Sequence, residues 1–144
     1  GGAAGMTAQI VHASCVAWQG RGVLILGRSG AGKSALALQL MAFGADLVSD
    51  DRTELLAEAD VLTARAPATI QGLIEARGVG LMRVPFVTQA EIALVIDLDQ
   101  PEPNRLPPQR EITLLGISRP LVLAVPQPHF PAAILCYLKG SRFA

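Results

Sequence analysis

A chain of 144 residues, 51% hydrophobic and 17% charged, carries enough apolar surface to bury one core, which excludes a disordered tail or a low-complexity linker. Its twelve basic and twelve acidic side chains cancel, so no net field gathers nucleic acid or an anionic membrane, and neither is expected as a partner. Cys15 and Cys136 have no metal-ligand spacing, nothing reads as a secretory signal, and no apolar run approaches the roughly 18 residues of a membrane span, so a cytoplasmic protein is expected.

Gly1-Gly2-Ala3-Ala4-Gly5 precedes Met6 and reads as a cloning remnant, leaving residues 6–144 as a single domain. Residues 10–18 and 23–26 are apolar, partly β-branched runs separated by Gln19-Gly20-Arg21-Gly22, which predicts an opening β-hairpin. A glycine-rich segment follows, then a helix from about Lys33 with Leu36, Leu38, Leu40, Met41 and Phe43 as its apolar residues and Gly44 as its stop. Residues 47–49 predict a short strand, and alternation between Arg52 and Arg65 predicts a second hairpin turning near Ala59-Asp60. Further strands are expected at residues 92–98, 112–117 and 121–125, each β-branched and flanked by breakers. Residues 100–109 hold four prolines and predict a loop, and a short helix from Pro131 to about Lys139 ends at Gly140. The expected class is α/β, a mixed sheet with helices and no internal repeat.

Gly27-Arg28-Ser29-Gly30-Ala31-Gly32-Lys33-Ser34 satisfies G-x-x-x-x-G-K-[ST] in full, directly after a predicted strand and directly before a predicted helix. Glycines let the backbone curl until successive N–H groups point inward, and the following helix adds its positive end to that anion-binding hollow. Lys33 would reach the β- and γ-phosphates of a nucleoside triphosphate such as ATP, and Ser34 would set its hydroxyl on magnesium. The Arg28 side chain is expected in solvent. A glycine-rich turn that binds nothing has the same pattern, but the strand and helix around it favour a phosphate loop.

If residues 23–26, the helix and residues 47–49 form a parallel crossover, both strands finish at one edge of the sheet and Asp50 and Asp51 emerge beside the phosphate loop. Two carboxylates there can divide the work, one holding magnesium and one accepting a proton from an attacking hydroxyl, and the sequence leaves open which does which. The alternative is a turn or helix cap. In Glu75-Ala76-Arg77-Gly78-Val79-Gly80 a carboxylate and a guanidinium two residues apart would share one face of an extended segment, as a functional pair or as a solvated ion pair. His12 lies on the first strand, where a core or edge histidine is the plain reading.

In this order and spacing, His12, the loop from Gly22-Val23-Leu24-Ile25-Leu26 through Ser34, Leu47-Val48-Ser49-Asp50-Asp51 and the E-x-R-G-x-G run at Glu75 resemble the catalytic domain of the HPr kinase/phosphorylase family. The resemblance covers roughly residues 10–97. It implies a P-loop nucleotide-binding fold related to phosphoenolpyruvate carboxykinase, and ATP-dependent phosphorylation of a serine of the phosphocarrier protein HPr, with reverse phosphorolysis in the family. It also implies that Asp51 is the catalytic acid/base with Asp50 beside it, that His12 sits near the transferred phosphate, that Ser34 and Glu75 bind magnesium, and that Arg77 supports the bound nucleotide. A homo-oligomer, a hexamer in the family, is implied as well, and the short alphaproteobacterial form without the N-terminal domain is the expected variant. Residues 83–91 look shorter than the family's loop carrying an arginine for the reverse reaction, and Val125-Pro126-Gln127-Pro128-His129-Phe130-Pro131 stands where an arginine- and glycine-rich segment is usual. A P-loop kinase of a small metabolite and a non-catalytic ATP-sensing module are the rival readings.

Overall fold

The structure, a computed structural model, describes residues 6–144, so the expected cloning remnant lies outside the described residues. Strands β1 (Met6–Trp18) and β2 (Arg21–Leu26) form the expected hairpin, in register from Ala13 opposite Leu26 to Trp18 opposite Arg21. It turns through Gln19 and Gly20 at φ 47° and 79°, the left-handed pair that matches the twist of two-residue hairpins. Helix α1 (Lys33–Ala42) crosses to β3 (Asp46–Ser49), which is antiparallel to β1. Because Cys15, Val16 and Ala17 have partners on both β2 and β3, β1 lies between these two parallel strands.

After β3 the chain continues along β1. Asp50 and Asp51 interrupt the ladder, and β4 (Arg52–Glu58) resumes along β1 with His12 opposite Arg52. One residue earlier in the same ladder the register shifts: Cys15 faces Ser49 but Val16 faces Leu47, so Val48 is a bulge. The chain folds back through Ala59-Asp60 into β5 (Val61–Arg65), where the alternation predicted the turn. A short 3-10 turn (Ala68–Ile70) leads to β6 (Leu73–Ala76) and β7 (Gly80–Arg83), a separate two-stranded hairpin. Arg77 lies in its turn rather than on an extended segment, so Glu75 and Arg77 do not share a strand face.

Strand β8 (Ala90–Pro101) runs parallel to β2 and also pairs antiparallel with β5, which closes the order β2-β1-β4-β5-β8 into a ring. It reaches into the proline-rich stretch that the sequence marks as loop. Strands β9 (Arg110–Leu114) and β10 (Ile117–Ala124) extend the sheet beyond β8, and α2 (Phe130–Lys139) follows. The strand expected at residues 112–117 is in fact split by a tight turn, because Leu115 and Gly116 take φ 49° and 80°.

Alternation along the strands sorts the apolar side chains into two clusters. Ala13, Cys15, Ala17, Leu24, Leu55, Leu62, Ile92 and Val95 fill the inside of the ring. Val16, Val23, Ile25, Leu94 and Ile96 face outward and are covered by Leu36 and Leu40 of α1 and by Ile134 and Leu138 of α2. Ile74, fully buried, anchors the small hairpin to the outer cluster. No helix among the described residues is long and apolar enough to cross a membrane.

Candidate active site

The phosphate loop forms where β2 ends, with Leu26 opposite Asp97 of the parallel strand β8, which continues to Pro101. Gly27 has to be glycine: a Cβ there would sit 2.9 Å from the Ala31 Cβ and 3.3 Å from the Leu98 Cβ. Gly30 and Gly32 take φ 85° and 101°, a region that a side chain disfavours. The Ala31 N–H donates to the Arg28 carbonyl at 3.0 Å, which tightens the curl, and the Leu36 N–H makes the first helical bond to Gly32. No side chain caps α1, so its leading N–H groups and the positive end of its dipole face the loop.

Lys33 is buried, and its ammonium donates to the carbonyls of Gly27 at 2.8 Å and Arg28 at 3.1 Å. It thus bridges the start of the loop. Arg28 and Ser29 are exposed, as expected for the side chain of Arg28.

Asp50 joins three separate segments. Its Oδ1 accepts from the hydroxyls of Ser34 and Ser14, each at 2.7 Å, and its Oδ2 accepts from the Glu75 N–H at 3.1 Å. The residue is 8% exposed, and a carboxylate taken that far from water needs such donors. Asp51 is exposed and adopts φ 65°, a left-handed conformation that Asp tolerates better than most residues. The structure involves its backbone: its N–H donates to Ser14 Oγ at 3.2 Å and its carbonyl accepts from the Ala13 N–H at 3.0 Å. The Ser49 hydroxyl donates to the Arg52 carbonyl and the Arg52 N–H donates to the Asp50 carbonyl at 2.7 Å, so the irregular turn is hydrogen-bonded throughout.

His12 is exposed and lies two residues before Ser14 on β1, hence on the face that carries Ser14 and Asp50. Glu75 meets the site through its main chain, and its side chain is exposed. Arg77 is exposed in the neighbouring turn. The structure therefore brings Lys33, Ser34, Asp50 and the Glu75 backbone together, sets Asp51 and His12 beside them, and leaves Arg77 on the projecting hairpin. Cys15, fully buried in the ring, is pushed well above the usual thiol range by that burial and is no nucleophile.

Sequence reasoning missed two participants. Ser14 clamps Asp50, and its signal was available, since it shares a strand face with His12. Asp99 accepts the Arg28 N–H through both carboxylate oxygens, at 3.1 and 3.0 Å, and so pins the first bend of the loop. Its signal was an apolar run, Ile92-Ala93-Leu94-Val95-Ile96, ending in acids, but only the parallel pairing of β8 with β2 gives those acids a place beside the loop.

Ser34 and Asp50 offer hard oxygen donors at the mouth of the phosphate hollow, a donor set that suits magnesium.

Comparison with known proteins identifies the family. The family model for the HPr serine kinase C-terminal domain matches residues 5–112. HPr kinase/phosphorylase of Azoarcus sp. (strain BH72) is 40% identical over 117 residues, covering 72% of this chain and 37% of the relative. That of Geobacillus thermodenitrificans (strain NG80-2) is 35% identical over 146 residues, covering 92% of this chain and 47% of the relative. The chain thus spans less than half the length of these relatives. The solved structure of the Hpr(Ser) kinase/phosphatase from Coxiella burnetii superimposes with a TM-score of 0.76 at 30% identity, over 91% of this chain and 94% of that one. With the motif, the fold and the relatives in agreement, this chain belongs to the HPr serine kinase C-terminal domain family.

Proposed function

We propose that this domain transfers the γ-phosphoryl group of ATP to a serine hydroxyl of the phosphocarrier protein HPr. The observation that carries the reading is the 2.7 Å hydrogen bond between the phosphate-loop hydroxyl of Ser34 and the buried carboxylate of Asp50, with the exposed carboxylate of Asp51 next in the chain. The division of labour follows from their surroundings. Asp50, held by three donors, is fixed and desolvated, which suits a group that orients Ser34 and holds magnesium with it. Asp51, open to solvent, can approach an incoming hydroxyl.

In the transfer, the serine oxygen forms a bond to the γ-phosphorus as the bond to the bridging β–γ oxygen breaks, and the serine proton passes to Asp51. Lys33 and the N–H groups of the loop stabilise charge on the phosphoryl oxygens and on the departing ADP. Ser34 and Asp50 would hold magnesium, which would supply charge neutralisation to the phosphate chain. In this reading His12, exposed on the β1 face that carries Ser14 and Asp50, serves the transferred phosphate, Glu75 would join Ser34 in holding magnesium, and Arg77 supports the bound nucleotide.

The test is incubation with HPr, ATP and magnesium, followed by detection of seryl-phosphate on HPr. Absence of that product, under conditions where ATP binding is measured directly, rejects the kinase assignment. Phosphorylation of small acceptors in place of HPr would keep the chemistry and change the substrate.

A further inference from the structure

Asp51 departs from the ladder by an exchange of hydrogen-bond partners. The registers on either side agree: His12 faces Arg52 and Cys15 faces Ser49, which puts Ala13 opposite Asp51 and Ser14 opposite Asp50. A regular antiparallel pair at Ala13 and Asp51 would exchange two main-chain hydrogen bonds. Only one is made, from the Ala13 N–H to the Asp51 carbonyl at 3.0 Å. The Ala13 carbonyl accepts instead from the Thr53 hydroxyl at 2.8 Å, and the Asp51 N–H turns to Ser14 Oγ at 3.2 Å. From this exchange we infer that Ser14 is a positioning residue for the transfer: its hydroxyl fixes the main chain of Asp51, and so the direction from which that carboxylate meets the acceptor hydroxyl. The role rests on the reading of Asp51 as proton acceptor and adds to it what aims the group.

Three observations support this role. First, Asp51 takes φ 65°, a conformation that persists in a residue with a side chain only where its surroundings hold it. The bond from Ala13 is one that a regular ladder also makes, so the contact peculiar to the bent conformation comes from Ser14. The Asp51 side chain is exposed, which leaves its placement to the main chain. Second, Ser14 is fully buried, and its single hydroxyl proton goes to Asp50 Oδ1 at 2.7 Å. With the proton committed there, a lone pair of Oγ faces the Asp51 N–H, and one hydroxyl orientation satisfies both neighbours. Third, the same Asp50 Oδ1 accepts from Ser34 at 2.7 Å. A continuous run of hydrogen bonds thus leads from the phosphate loop through Asp50 and Ser14 to the Asp51 main chain, and gives the proton acceptor a set place relative to the loop.

The experiment compares Ser14→Ala with the wild type, alone and in the Asp51→Asn background. Alanine fits the space of serine, and Asp50 keeps its donors from Ser34 and Glu75. The expected result is a fall of roughly tenfold or more in kcat for seryl-phosphate formation on HPr, with ATP affinity by calorimetry close to the wild-type value. In the Asp51→Asn background the same substitution should cost nothing further, because the group that Ser14 places is already disabled. Amide exchange followed by NMR gives a readout independent of turnover: the Asp51 amide should exchange about tenfold faster in Ser14→Ala than in the wild type. Transfer and ATP affinity falling together, or a loss repeated in full in the Asp51→Asn background, would mean that Ser14 acts only as a clamp on Asp50, and overturns the inference. An unchanged kcat or an unchanged Asp51 exchange rate overturns it as well. A wild type that binds ATP and forms no seryl-phosphate on HPr counts against the kinase reading; faster Asp51 exchange in Ser14→Ala then still supports the placement by Ser14, and unchanged exchange overturns it.

Discussion

Inside the ring of strands, small side chains such as Ala13, Ala17, Ala57, Ala64 and Ala90 let the sheet curl around Leu24, Leu55 and Leu62, and the cluster is apolar. On the outside, larger side chains from both helices pack against the strands, and the apolar cluster gives way along β1 from Val16 to Ser14, where Asp50 and the phosphate loop begin. The inner region has no opening to chemistry. The outer region is part core and part site, since α1 both covers the sheet and presents its N-terminus to phosphate. Stability and reactivity should therefore respond to different residues, and four measurements can break or sharpen that separation.

The largest effect is expected at Asp51. Asp51→Asn keeps a residue that tolerates the left-handed backbone but cannot take the serine proton, so transfer to HPr should fall by roughly 10²–10⁴-fold with ATP affinity and stability nearly unchanged. Equal loss of binding and transfer would remove its proton-accepting role. Next comes Leu24→Ala, which empties space in the sealed inner cluster and should lower unfolding free energy by about 2–5 kcal/mol in urea, while the folded fraction binds ATP as before. A smaller effect is expected from Lys33→Ala. Loss of a charge-assisted contact to phosphate, worth about 1.5–3 kcal/mol, should weaken ATP by roughly ten- to a hundredfold in calorimetry.

The smallest effect is expected at Glu102, just after β8. Glu102 holds Arg110 through two hydrogen bonds, at 3.1 and 2.9 Å, and that contact keeps its carboxyl below the ordinary range. A carboxylate whose folded value is depressed stabilises the fold above its unfolded value and loses that contribution as pH falls through the folded one. Melting curves of wild type and Glu102→Gln should differ slightly at neutral pH and converge in acid. A gap that persists in acid would mean that Glu102 acts through packing rather than charge.

The sequence made the local parts legible. Residues 27–34 carry their own geometry in glycines, and Gln19-Gly20 and Ala59-Asp60 announce their turns. What it left hidden depends on partners distant in the chain. Closure of the ring by β2 against β8 is a register choice between segments some seventy residues apart, and no local pattern encodes it. Asp50 and Asp51 were legible as a pair beside the loop, but their unlike surroundings arise from Ser14, Ser34 and Glu75, which come from three elements. The expected face-sharing of Glu75 and Arg77 failed because the glycines that follow let the chain turn at Arg77. Asp99 became meaningful only once its strand was placed alongside β2.

The bulge at Val48 ties the length of this segment to two requirements at once. Leu47 faces the helices opposite Val16, and Leu55 faces the interior of the ring, and both hold only because an extra residue offsets the count between them. Deleting a single residue from 48–51 would invert the parity of β4, turning Leu55 and Ala57 out of the ring and Glu54 and Leu56 into it, whichever residue was lost. Insertions and deletions here are therefore constrained by arithmetic before chemistry: the spacing that delivers a carboxylate to the loop also keeps the next strand the right way round.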